Sequence, residues 1–172
     1  MKGLIQLYCG DGKGKTTASV GLAVRAAGAG QKVLFVQFLK NGNSSEVGPL
    51  KTLGIATKVC RKPHGFLWTM SEEEKARAAA DYTGLLAEAF DEAQDGVDLL
   101  ILDEAIGAAG CGMIPEAELI QRLKTRPDGL EVVLTGRDPS EALMAEADYI
   151  TEMKKIRHPF DKGIDARRGI EY

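Results

Sequence analysis

The chain has 172 residues, about one domain's worth, of which 44% are hydrophobic and 27% charged, the proportions of an ordinary globular protein. Those numbers exclude a disordered chain, a collagen and a coiled coil, and the longest run without Asp, Glu, Lys or Arg, Ala105–Pro115, is far short of the roughly 18 apolar residues of a membrane span. With 22 basic against 25 acidic residues and a net charge of -3, a protein that grips nucleic acid mainly by neutralising phosphates is disfavoured.

In chain order, Leu4–Tyr8 reads as a buried strand and Lys15–Ala27 as a helix. Val33–Leu39 is a second strand, followed by a polar loop over Asn41–Pro49 and a short strand at Ile55–Cys60. Ser71 followed by Glu74 is a capping box that opens a long helix. Tyr82, Leu86, Ala89, Phe90 and Ala93 repeat at helical spacing along one face of it. Val97–Leu102 is a strongly apolar strand. Pro115 suits a first helical position, ahead of Leu119, Ile120 and Leu123 on an inner face. Leu130–Thr135 is a strand, Asp138 a predicted helix cap, and Tyr149–Met153 a last strand. Apolar strands alternating with helices predict a single α/β domain over residues 1–172 with a mostly parallel sheet covered on both faces. Ligands of such sheets lie at the carboxyl ends of the strands.

Cys9, Cys60 and Cys111 are dispersed, without a C-x-x-C pair, and the first residues show no secretory pattern. A reducing cytoplasm is the expected compartment.

Gly10-Asp11-Gly12-Lys13-Gly14-Lys15-Thr16-Thr17 lies between the first strand and the first helix, the context of a phosphate-binding loop. Its glycines let backbone N–H groups turn toward phosphate oxygens, and the helix start adds partial positive charge. Lys15 brings a full charge, and the Thr16 hydroxyl is a candidate Mg2+ ligand. The loop is a variant, because Cys9 stands where the first glycine of G-x-x-x-x-G-K-[ST] belongs and Lys13 is a second cation. The strand Val97–Leu102 runs into Asp103-Glu104, either of which can complete the metal site. Thr135-Gly136-Arg137 ends another strand at the same predicted edge, where Arg137 can clamp a phosphate. His64-Gly65-Phe66-Leu67-Trp68 precedes the Ser71 cap. It is either a loop tucked over the core or a lid that grips a flat apolar ligand.

These segments, together with Arg25-Ala26-Ala27-Gly28, Val36-Gln37-Phe38-Leu39-Lys40 and the tail His158-Pro159-Phe160-Asp161-Lys162-Gly163 through Tyr172, form an ordered series over nearly the whole chain. The series resembles the ATP:cob(I)alamin (corrinoid) adenosyltransferases of the phosphate-loop family. The resemblance implies a three-layer, RecA-like phosphate-loop NTPase fold. It implies ATP held in reversed orientation by Gly10–Thr17, with its 5′ carbon facing the cobalt of cobalamin or another corrinoid and triphosphate as leaving group. It further implies Mg2+ on Thr16 and an acid of the Asp103-Glu104 pair, Lys15 and Arg137 on the phosphates, and Phe66 and Trp68 displacing the corrin's lower axial ligand. An electron donor such as a reduced flavoprotein, and a homodimer, are implied as well. On the residues alone, a small phosphate-loop kinase or ATPase is the alternative, sharing the loop and the acids.

Overall fold

The computed structural model describes residues 2–40, 43–60 and 69–172. Six strands form one sheet: β1 (Ile5–Cys9), β2 (Val33–Gln37), β3 (Ala56–Val59), β4 (Leu99–Asp103), β5 (Glu131–Thr135) and β6 (Tyr149–Glu152). Their order is β3-β2-β4-β5-β1-β6 and every adjacent pair is parallel. The expectation of a mostly parallel sheet is thus met by a wholly parallel one. The phosphate-loop strand β1 and the acid-bearing strand β4 flank β5, so loop, acids and Thr135-Gly136-Arg137 emerge side by side.

Alternation along the buried strands sorts residues between two apolar clusters, one on each face. Leu34, Val36, Leu100, Leu102, Val132 and Leu134 face the cluster that includes Tyr82, Leu86 and Phe90 of α3 (Glu72–Ala93) and Leu119 and Leu123 of the helix Glu116–Lys124. Val33, Phe35, Leu99, Ile101 and Val133 face the other, with Ala23 and Ala26 of α1 (Lys15–Gly28) and Leu50 of α2 (Val47–Thr52). The architecture is therefore three-layered, helix–sheet–helix. Only β6, at the edge, is exposed along its length.

Several boundaries differ from the sequence reading. α2 begins inside the segment read as loop, because Val47 starts a turn that continues through Pro49. A short helix α4 (Ala105–Gly110) follows β4 directly. It escapes a periodicity search because its small apolar residues show no polar face, and it begins after Glu104 in left-handed conformation (φ 62). Pro115 is extended (φ -66, ψ 118) and sits one residue before α5 (Glu116–Lys124). The cap of α6 (Glu141–Ala145) is Ser140, whose Oγ accepts from the Leu143 N–H at 3.0 Å, and not Asp138. The Ser71–Glu74 capping box is present in both directions at the start of α3.

Candidate active site at the phosphate loop

The buried polar side chains of the described residues are Lys15, Ser19, Gln37, Asp103 and Thr135. All five belong to α1 or to the carboxyl ends of β2, β4 and β5. Burying polar groups is costly unless they are paired, so their gathering at one sheet edge marks a built site rather than core.

α1 starts at Gly14 (φ 120) with no side-chain cap and no acidic residue in its first turn, which leaves its leading N–H groups to an anion. Ser19 Oγ donates to the Thr16 carbonyl at 2.8 Å. Lys15 Nζ donates to the Gly12 carbonyl at 2.8 Å, so the lysine folds back across its own loop. Burial first, and the Arg137 charge second, push the Lys15 ammonium below the usual lysine range.

A cavity of about 190 Å³ is lined by Gly12–Thr17, by Glu104 and Arg137, and by His158, Ile170 and Glu171 from the tail. It is smaller than the roughly 300–1,000 Å³ pockets that enclose whole ligands, and its size suits a phosphate chain. A larger cavity of about 430 Å³ lies at the β3 edge, between residues such as Lys58, Cys60, Leu85 and Glu88, away from the phosphate loop.

The two acids have different surroundings. Asp103 is fully buried; its Oδ1 accepts from Thr135 Oγ1 at 2.8 Å and its Oδ2 from Lys40 Nζ at 2.7 Å. The same Thr135 hydroxyl accepts from the Glu104 N–H at 2.9 Å, which fixes the turn. Glu104 lines the cavity beside Thr16. Its carboxyl is pushed above the usual range by burial and by Asp103, against the pull of Lys40, Lys15 and Arg137. A carboxylate left under-compensated in this way is relieved by a cation. Among the described residues no cluster of three His, Cys, Asp or Glu could hold a metal unaided. A hydroxyl and one carboxylate that leave other positions to substrate oxygens are the donor set of Mg2+ on a polyphosphate, so the residues fit that ion.

The cavity thus brings together Gly12, Lys13, Gly14, Lys15, Thr16, Thr17, Glu104 and Arg137 of the residues singled out from the sequence. Gly10 and Asp11 turn toward the chain beyond β6. A Cβ on Gly10 would lie 2.7 Å from the Met153 carbonyl oxygen, and Asp11 Oδ1 accepts from the Lys155 N–H at 2.8 Å. Phe66 and Trp68 lie outside the described residues. Sequence reasoning gave no site role to Lys40, Gln37, Thr135 or the tail residues His158 and Glu171. His158 Nδ1 accepts from the Phe160 N–H at 3.2 Å, capping the 3-10 turn Pro159–Lys162 that lays the tail near the cavity. Glu171, tied to Arg167 through both its oxygens, has its carboxyl pulled down to about 2. The signal available beforehand was the polar Gln37 ending an otherwise apolar strand and Lys40 three residues beyond it.

The profile of the ATP:corrinoid adenosyltransferase family BtuR/CobO/CobP matches residues 1–172. A corrinoid adenosyltransferase of Escherichia coli K12 is 34% identical over 172 residues, covering 99% of this chain and 86% of its own. Corrinoid adenosyltransferase CobA of Salmonella typhimurium is 33% identical over 177 residues, with the same coverage. A corrinoid adenosyltransferase of Pseudomonas aeruginosa is 30% identical, covering 99% of this chain and 84% of its own. With a phosphate-loop cavity on a wholly parallel sheet and likeness along its whole length, the chain belongs to the ATP:corrinoid adenosyltransferase family and is an enzyme of that activity.

Proposed function

We propose that the chain, as one domain over residues 1–172, transfers the 5′-deoxyadenosyl group of ATP to cobalt(I) of cobalamin or another corrinoid and releases triphosphate. The observation that carries this reading is a phosphate-sized cavity ringed by Lys13, Lys15 and Arg137 in a chain matched end to end by the family. In the step proposed, the cobalt(I) electron pair forms the cobalt–carbon bond, the 5′ carbon–oxygen bond breaks, and its electrons leave on the triphosphate. Cobalt(I) is itself the nucleophile, so the protein need supply no base. Its tasks are in-line positioning and holding charge that grows on the leaving group.

ATP is proposed to lie in reversed orientation, with its α end toward the corrinoid. Lys15, Lys13, Arg137 and the N–H groups opening α1 take the phosphate charge. Thr16 and Glu104 are the proposed Mg2+ ligands, with Asp103 behind them holding Lys40 and Thr135. Mg2+ when bound adds positive charge against the triphosphate. Phe66 and Trp68 are proposed to take the place of the corrin's lower axial ligand, because four-coordinate cobalt(II) is easier to reduce. The electron comes from a partner such as a reduced flavoprotein. A homodimer follows the family resemblance. A reducing cytoplasm suits the free thiols of Cys9, Cys60 and Cys111, and among the described residues no helix is long and apolar enough to cross a membrane. Incubation with ATP, Mg2+ and reduced cobalamin tests the reading: triphosphate is the expected phosphate product, and diphosphate or monophosphate would point to a kinase or ATPase.

A further inference from the structure

The end of β2 carries a group that the proposed mechanism leaves unused. After Gln37 the chain makes one bond to the acid strand, from the Phe38 N–H to the Asp103 carbonyl at 2.9 Å. Leu39 then adopts a left-handed conformation (φ 55), one of only three non-glycine residues with positive φ among the described residues. Such a backbone is costly for a branched side chain and persists where the surroundings impose it, often at functional sites. Here it precedes Lys40, which reaches back to the phosphate loop. Lys40 Nζ lies 2.7 Å from Asp103 Oδ2 and 3.4 Å from Thr16 Oγ1. Glu46 Oε1 is 3.7 Å from the same nitrogen. Gln37 ties the two carboxylates together, its Nε2 2.8 Å from Glu46 Oε1 and 3.3 Å from Asp103 Oδ2, while its own Oε1 is buried without a hydrogen-bond partner.

An ammonium on the Thr16 hydroxyl and a divalent cation on that same oxygen repel each other at close range. We propose that Lys40 is a resident cation of the metal site: in the nucleotide-free protein it bridges Thr16 and Asp103, and a divalent cation binds only as Lys40 gives up Thr16. This inference rests on the proposed Thr16–Glu104 metal site. Glu46 supplies the second anchor. A lysine has four rotatable side-chain bonds, so its ammonium can leave Thr16 and remain paired between Asp103 and Glu46. The orphaned Gln37 oxygen is an acceptor for the displaced ammonium in the same cluster. Lys40 thereby prevents the buried Asp103 charge from standing alone before substrate arrives, and it makes metal entry depend on the phosphates that come with ATP.

The test is Mn2+ binding followed by electron paramagnetic resonance. Without nucleotide, Lys40→Gln should bind Mn2+ about tenfold or more tightly than the wild type, because a competing charge is gone from Thr16. Lys40→Arg, which keeps the charge, should not show that gain. Equal affinities for the wild type and Lys40→Gln would overturn the proposal. Thr16→Val, measured with ATP present, separates the two levels. If it weakens Mn2+ binding while Lys40→Gln changes nothing, Lys40 alone loses its role; if it has no effect, the metal site falls and Lys40's role with it. Should Lys40→Gln not fold, the wild type still decides. The Lys40 ε-carbon resonance should shift on adding ATP with Mg2+ but not ATP with a chelator, and a resonance indifferent to the metal would count against the proposal.

Discussion

The Gly12 N–H donates to the Met153 carbonyl oxygen at 2.6 Å, and a Cβ at Gly12 would stand 2.5 Å from that oxygen. The phosphate loop is therefore shaped from behind by the chain leaving β6. Two of its glycines, Gly10 and Gly12, are required by this close approach. Gly12→Ala should cost ~1–3 kcal/mol of folding stability, as overpacking does. A melting scan without nucleotide reads it; an unchanged Tm would mean that the 153–154 backbone moves aside freely.

Lys15→Ala removes the buried cation of the cavity. ATP affinity should fall by ~2–3 kcal/mol, roughly 30- to 150-fold, because a charged hydrogen bond to phosphate is lost. Calorimetry with ATP and Mg2+ measures it, and unchanged affinity would remove the phosphate-loop assignment.

Glu104 and Lys15 are displaced toward each other in pKa, one raised and the other lowered by burial above all. Binding of ATP with Mg2+ should therefore weaken on the acid side above the ordinary carboxylate range, as Glu104 takes a proton. It should weaken on the alkaline side below the ordinary lysine range, as Lys15 loses one. A titration of affinity against pH shows both limbs, and Glu104→Gln should shrink the acid one to the part that protonation of ATP's own terminal phosphate contributes.

The same variant makes a stability prediction. The folded Glu104 holds its proton more tightly than the unfolded chain does, so its stabilising contribution is present below the unfolded carboxylate range and lost as pH rises through the raised value. At neutral pH the ionised group costs stability. Glu104→Gln should raise the Tm of the metal-free protein, a gain that fades toward acid pH. A lowered Tm at neutral pH would contradict the raised carboxyl.

Phe66 and Trp68 admit a two-sided experiment. As a wedge below the corrin, their double alanine substitution should leave ATP affinity and Tm nearly unchanged and abolish the four-coordinate cobalt(II) spectrum. As core residues they should instead cost ~3–5 kcal/mol each. A melting scan paired with the cobalt(II) spectrum separates the outcomes.

What the sequence made legible was local. Ser71 and Glu74 are three residues apart and announce α3; the apolar runs of β2, β4 and β5 announce a buried parallel sheet. The glycines, Lys15 and Thr16 announce the phosphate loop because its chemistry lies within eight consecutive residues. What stayed hidden was set by tertiary approach. Lys40 meets Asp103 across 63 positions and Thr135 meets it across 32, and no spacing rule relates them. Likewise Gly12 owes its need for glycine partly to Met153. α4 was missed because a run of small apolar residues after a left-handed Glu104 has neither cap nor amphipathic period. Asp138 looked like a cap by composition, but its positive φ (49) departs from the extended backbone of a helix cap, which Ser140 adopts instead.

In the reaction proposed, the bond that breaks is the one at the 5′ carbon of ATP and not one at the γ-phosphate. An ATP analogue whose β,γ bridge cannot be hydrolysed tests it most directly, in the presence of Mg2+ and cobalt(I) corrinoid. The expected result is a cobalt–carbon bond in the product spectrum and release of the intact bridged triphosphate. An analogue that binds by calorimetry yet yields no cobalt–carbon bond would contradict it.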